Sequence, residues 1–189
     1  FTYEPLQTLT VAKAGTGTGT VTSTPAGINC GVDCTEDFVN DTLITLNAAA
    51  DVDQVFAGWS GACTGTAPCE VTMDSAQSVT ATFDLGVPSL SVSLSELILS
   101  VNDTATSSYL TGNPRTITIT NTGTATATNV NYNLSTALPM GATVTPASCG
   151  TLTVGAACVL TVTPSSIPTA AIEDAGALPI ELSVSGDGT

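Results

Sequence analysis

The residues with most chemical capacity in this 189-residue chain are its six cysteines, which fall into three close pairs: Cys30/Cys34, Cys63/Cys69 and Cys149/Cys158. Six cysteines permit many pairings, but this spacing favours the local ones, and with them an oxidising compartment. A four-cysteine zinc site drawn from the first two pairs is the rival reading. Neither pair has the two-residue spacing of a zinc knuckle, and the chain has no histidine. The lack of histidine also removes Ser-His-Asp and Cys-His catalysis from the chain's own repertoire. Around Ser60, "GWSGAC" begins like a nucleophile elbow but does not complete Gly-x-Ser-x-Gly. No spacing singles out a carboxylate pair for glycoside cleavage. The expectation is a protein that is not an enzyme and has no catalytic residues.

Three acids, Asp33, Glu36 and Asp37, sit around and after the first cysteine pair, followed by Asp41, while Asp51 and Asp53 form a second group. Calcium requires six to eight converging oxygens. No EF-hand or Gly-Asp nonapeptide pattern is present, so solvated loop acids are expected and no cofactor is assigned. Calcium is the one candidate ion, with Asp33, Glu36 and Asp37 its first candidate ligands. The only tryptophan, Trp59, has two readings: a stacking platform for a sugar, or a core ring beside the Cys63/Cys69 loop, which we favour. Lys13 lies in an alternating stretch with no evident partner for an isopeptide bond, and is expected to be solvated. "GTGTGT" at 15–20 lacks the Lys-Ser/Thr and the following helix of a phosphate loop. It is too short for an ice-binding array and reads as a turn.

These residues must be positioned by strands. Thr, Val, Gly, Ser and Asn dominate, and short alternating stretches recur between Gly, Pro, Asn and Asp. The expected strands are Thr8–Ala14, Gly19–Ser23, Glu36–Val39, Thr42–Ala48, Val55–Trp59, Glu70–Met73 and Ser78–Phe83. In the second half they are Leu90–Leu94, Arg115–Asn121, Asn129–Leu134, Thr143–Thr145, Cys158–Thr163 and Ile180–Val184. The fold class is therefore all-β, as two small modules in tandem. Residues 1–7 read as a lead-in, 8–84 as the first module, 85–89 as a linker ("LGVPS") and 90–189 as the second module.

The net charge is −14, with Lys13 and Arg115 the only cations. Such a surface repels phosphate backbones and anionic lipid headgroups, which disfavours nucleic acid. No apolar run reaches the length of a membrane span, so no membrane insertion is expected. The chain does not begin with Met and carries no signal peptide, which suggests a mature product or an excised piece whose anchor lies elsewhere.

Residues 8–83 resemble a divergent internalin-type B-repeat module, through "LTVAKAGTGTGTVTSTPAGINCGVDC", "DTLITLNAAADVDQVFAGWSGAC" and "CEVTMDSAQSVTATF" in that order. The resemblance implies a small β-grasp-like or meander fold and a spacer or binding role outside the cell. Residues 88–185 resemble the immunoglobulin-like sandwiches of bacterial surface proteins, of the cell-adhesion-related CARDB type. That resemblance rests on "RTITITNTGTATATNVNYNLSTALPMGATVTP" and "CGTLTVGAACVLTVTPS". Here Ile117 and Ile119 alternate with Thr, Asn121-Thr122-Gly123 supplies a turn with Gly123 free to take positive φ, and a Cys149–Cys158 bond would pin a hairpin-like loop. Together these features predict an extracellular, cell-surface or periplasmic structural spacer or adhesion region, monomeric as a fragment, with a host or environmental protein or glycan as the conceivable partner. The alternative is an accessory substrate- or glycan-binding region of a larger secreted hydrolase.

Overall fold

The computed structural model describes residues 4–93, 102–104, 107–109, 114–135, 138, 142–163, 168–169 and 181–188. The chain divides into two compact units, Phe1–Gly86 and Val87–Thr189. All regular structure among the described residues is β, and no helix there is long and apolar enough to cross a membrane.

The first unit has eight strands: β1 (Leu6–Ala14), β2 (Gly19–Thr24), β3 (Asn29–Cys30), β4 (Thr35–Val39), β5 (Leu43–Ala50), β6 (Gln54–Gly61), β7 (Cys69–Thr72) and β8 (Gln77–Leu85). They form two four-stranded sheets, β4-β1-β8-β6 and β3-β2-β5-β7. The period-2 alternation of side chains along each strand places Leu9 and Val11, Val79, Ala81 and Phe83 from one sheet in a common core with Val21, Ile44, Leu46 and Val71 from the other. All pairings are antiparallel except β1 with β8, which run parallel from Leu9↔Gln77 to Ala14↔Thr82. No local signal in the sequence announces this pairing of the unit's first and last strands. β1 begins at Leu6, inside the segment read as a lead-in, whose residues 1–3 lie outside the described residues.

Of the three glycines assigned to the first turn, only Gly15 has positive φ, at 97°. Gly19 is needed for a different reason. It is buried, and a Cβ there would run into the Phe83 ring and the Ala49 carbonyl.

The second unit contains β9 (Leu90–Val92), β10 (Asn102–Thr104), β11 (Ser107–Tyr109), β12 (Arg115–Asn121), β13 (Ala127–Leu134), β14 (Thr143–Thr145), β15 (Gly150–Leu152), β16 (Ala157–Thr163), β17 (Pro168–Thr169) and β18 (Leu182–Asp187). One sheet is ordered β14-β16-β12-β9, a second β15-β13-β18, and a third, small one β10-β11-β17. Ile117 and Ile119 from β12 and Leu160 and Val162 from β16 share a core with Val130 of β13 and Leu152 of β15. The first two sheets are therefore the layers of a sandwich. The expected strands at Leu90–Leu94 and Ile180–Val184 are found, but Leu94 and Ile180 lie outside the described residues, as do Pro139, Met140 and Gly141 of the "LPMG" segment.

Asn121 is the buried polar hub of this unit, with no exposed surface. Its Nδ2 donates to the carbonyls of Ala125 (2.8 Å) and Leu152 (2.9 Å), while its Oδ1 accepts from the amides of Gly123 (3.0 Å) and Ser89 (3.3 Å). Both donors and both acceptor positions of the amide are thus satisfied. The role of Gly123 differs from the expectation of a positive φ. It is not among the positive-φ glycines; its missing Cβ instead lets residues 87–89 cross over it, where a Cβ would strike Val87 O and Ser89 N. Residues 87–89, read as part of the linker, are hydrogen-bonded to this turn through Thr124 N to Val87 O and Thr122 N to Ser89 O, both 2.8 Å.

Replacing Asn121 by Ala strands four backbone groups in the interior. At 1–3 kcal/mol for each unsatisfied group, with partial relaxation, the expected cost is roughly 3 kcal/mol. Asn121→Asp is expected to cost as much at neutral pH, because two donors become acceptors facing carbonyls. Urea unfolding of both variants checks this.

Candidate functional site

All six cysteines form disulfides, in the pairs Cys30–Cys34, Cys63–Cys69 and Cys149–Cys158. Their placement is more informative than their pairing. Cys30 ends β3 in one sheet, and Cys34 leads into β4 in the other. Cys63 follows β6, and Cys69 opens β7 in the facing sheet. Cys149 precedes β15, while Cys158 lies in β16 across the sandwich. Each bond closes a short loop in sequence, yet joins the two layers of its unit in space. This corrects the expectation for Cys149–Cys158. The segment between these cysteines is no hairpin, because β15 pairs with β13 whereas β16 pairs with β12 and β14. The bond is an inter-sheet one, though it joins strands consecutive in sequence, unlike the B–F disulfide of antibody domains.

Trp59 lies on β6 and is 5% exposed. Its ring meets Phe56 edge-on at 4.9 Å, and Phe56 in turn lies 5.4 Å from Phe83. Nε1–H donates to Ala67 O at 2.8 Å, and the Trp59 amide donates to Gly65 O at 2.8 Å. The 62–68 loop thus folds back onto the indole, which supplies both its apolar support and its hydrogen-bond donor. Beside the ring is a small open cavity of about 160 Å³, bordered by Asn47, Ala48, Phe56, Thr66 and Pro68. Pockets that enclose a ligand typically run from about 300 Å³ upward. With its faces covered and a recess this small beside it, Trp59 is placed as a core ring and not as a sugar platform.

The calcium candidates do not converge. Glu36 and Asp37 are successive residues of β4, so their side chains leave opposite faces of the strand. Glu36 is half-buried over Gly27, on the Phe38 side, whereas Asp37 is exposed and its Oδ1 accepts from Thr8 Oγ1 at 2.6 Å. Asp33 Oδ1 accepts instead from the Thr35 amide at 3.3 Å, capping the bend that carries Cys34. Asp41 and Asp53 hold positive φ, at 65° and 59°, in tight turns. Among the described residues, no group of three or more acidic, cysteine or histidine side chains is arranged to hold a metal ion.

Lys13 is exposed, and its Nζ donates to the Gly19 carbonyl at 3.0 Å, across the Gly15–Thr18 turn. Ser60 is exposed on β6. Sequence reasoning missed two features: the inter-sheet character of the disulfides and the hub role of Asn121. The second had a usable signal, since an Asn that closes an alternating strand before Thr-Gly occupies a position where its amide can bond a returning chain.

Residues 9–86 match the family model of the divergent InlB B-repeat domain. The match spans most of the first unit and stops at its last residue, Gly86. No curated protein and no solved structure matches the chain.

Two outcomes follow from these arrangements. Millimolar calcium is expected to leave the thermal midpoint of the chain unchanged by calorimetry, as is the triple substitution Asp33→Asn, Glu36→Gln, Asp37→Asn in its presence. Trp59→Phe removes the donor to Ala67 O and part of the ring that supports the loop, and is expected to cost about 2 kcal/mol in denaturant unfolding.

Proposed function

We propose that this chain is a non-catalytic spacer region of a secreted, surface-exposed bacterial protein, in which both units act as folded struts. The observation that carries this reading is the use made of the chain's most distinctive side chains. The six cysteines, Trp59 and Asn121 are the residues from which a site would be built, and each is engaged in holding sheets or loops together. The B-repeat match of the first unit supports a structural repeat in a surface protein. Three disulfides in one short chain suit an oxidising exterior. The acidic balance keeps such struts apart from one another and from anionic envelopes. For the second unit we favour kinship with CARDB-type modules, on its two-layer sandwich and its strand–NTG–strand segment. The reading assigns the chain neither cofactor nor catalytic residue.

The full chain, immobilised on a glycan array and on extracellular-matrix proteins with and without calcium, is expected to show no saturable binding. Inserted between a cell-wall anchor and a reporter, it is expected to keep the reporter accessible to antibody under protease challenge that removes a Gly/Ser linker of equal length. Saturable binding that a single surface substitution abolishes would replace the spacer by an adhesion module.

A further inference from the structure

The first and last strands of the first unit are hydrogen-bonded neighbours that run parallel. Their ladder extends from Leu9↔Gln77 to Ala14↔Thr82. The chain enters β1 at Leu6 and leaves β8 at Leu85, so entry and exit lie at opposite ends of this ladder. A pull on the two ends of the unit therefore acts along the strands in opposite senses. It slides β1 against β8 and loads their evenly spaced bonds together. An antiparallel pair of terminal strands would bring entry and exit to the same end and let the bonds open in succession, like a zipper.

The ladder is also braced on both sides. β4 is paired to the outer edge of β1 and β6 to the outer edge of β8, so both strands are internal to their sheet. Their inward side chains, Leu9, Val11, Val79, Ala81 and Phe83, are buried, so sliding also drags apolar groups across the facing sheet. Forced unfolding follows the height of the unfolding barrier, not the equilibrium stability. A shear ladder raises that barrier in one direction only.

We propose that the first unit is a tension-resisting clamp, built to hold when its two ends are pulled apart. Its use in the cell rests on the spacer reading above. The clamp itself is a property of the unit, and the test below addresses it without reference to surface display.

Single-molecule pulling on the full, oxidised chain tests it. One handle is fixed through an azide-bearing residue in place of Val87, whose side chain is exposed. The other is placed either at the N-terminus or in place of Thr18, an exposed residue of the turn after β1. The first geometry shears β1 against β8; the second peels β8 from β1 at their common C-terminal end. The N-terminal geometry is expected to give one rupture, at several-fold higher force than the Thr18 geometry, with a length gain of about 25 nm at ~3.5 Å per residue. Ile44→Val, in the sheet opposite the ladder, is expected to lower the rupture force by less, for a given loss of urea stability, than Val79→Ala within the ladder. Equal rupture forces in the two geometries, or a force that tracks urea stability for both variants alike, would overturn the clamp and leave the spacer reading standing.

Discussion

Within each unit, hydrogen-bond ladders hold strands into sheets, but one sheet stays on the other mainly through apolar contact across the gap between them. Everything else in this protein depends on that contact. It is made with modest means: aromatics are only 4% of the chain, and the cores consist chiefly of Val, Leu, Ile and Ala around Phe83 and Trp59. Each disulfide joins the two layers at a point where the chain passes from one sheet to the other. A covalent bond there limits how far the layers separate in the unfolded chain, an effect of roughly 2 kcal/mol for loops this short. That is a substantial fraction of the stability of a unit of this size.

The same economy explains the polar interior. A core of small side chains leaves room for backbone turns to approach one another, and approaching backbones need partners. Asn121 supplies four bonds to backbone groups from one amide, tying the end of β12 to the β15 carbonyl and to the segment that leads into β9. Trp59 performs the matching task in the first unit, with one donor and a broad apolar face turned to the loop between β6 and β7. Residues that elsewhere would face a ligand here face the protein's own backbone.

Strand positions were legible because alternation and turn residues are local signals. β12 and β14 coincide with the stretches read from the sequence, and most of the others differ by one or two residues at an end. β3, β10, β11, β15 and β17 were missed: each has only two or three residues, and none carries the Thr-Val-Thr alternation that marks the equally short β14. Pairings between distant strands were not legible. Nothing in Leu9–Ala14 marks Gln77–Thr82 as its parallel neighbour, because that choice is made by how the sheets close and not by either segment. Cysteine spacing indicated which thiols bond but not which layers they join. The acids at 33, 36 and 37 looked like a cluster because proximity in sequence hides the alternation that sends neighbouring strand residues to opposite faces.

The two cations also sit in informative places. Lys13 is in β1, paired with Ala81 of β8, and Arg115 opens β12, paired with Val162 of β16. These are the only residues after which a trypsin-like protease could cut, and both lie in extended backbone already hydrogen-bonded to a neighbouring strand. Such an enzyme needs its substrate as a free extended segment in its own cleft, so neither bond can be offered while its sheet is intact. With only two basic residues, both built into ladders, the folded sheets hold each trypsin-type cut site in a backbone conformation already committed to a neighbouring strand.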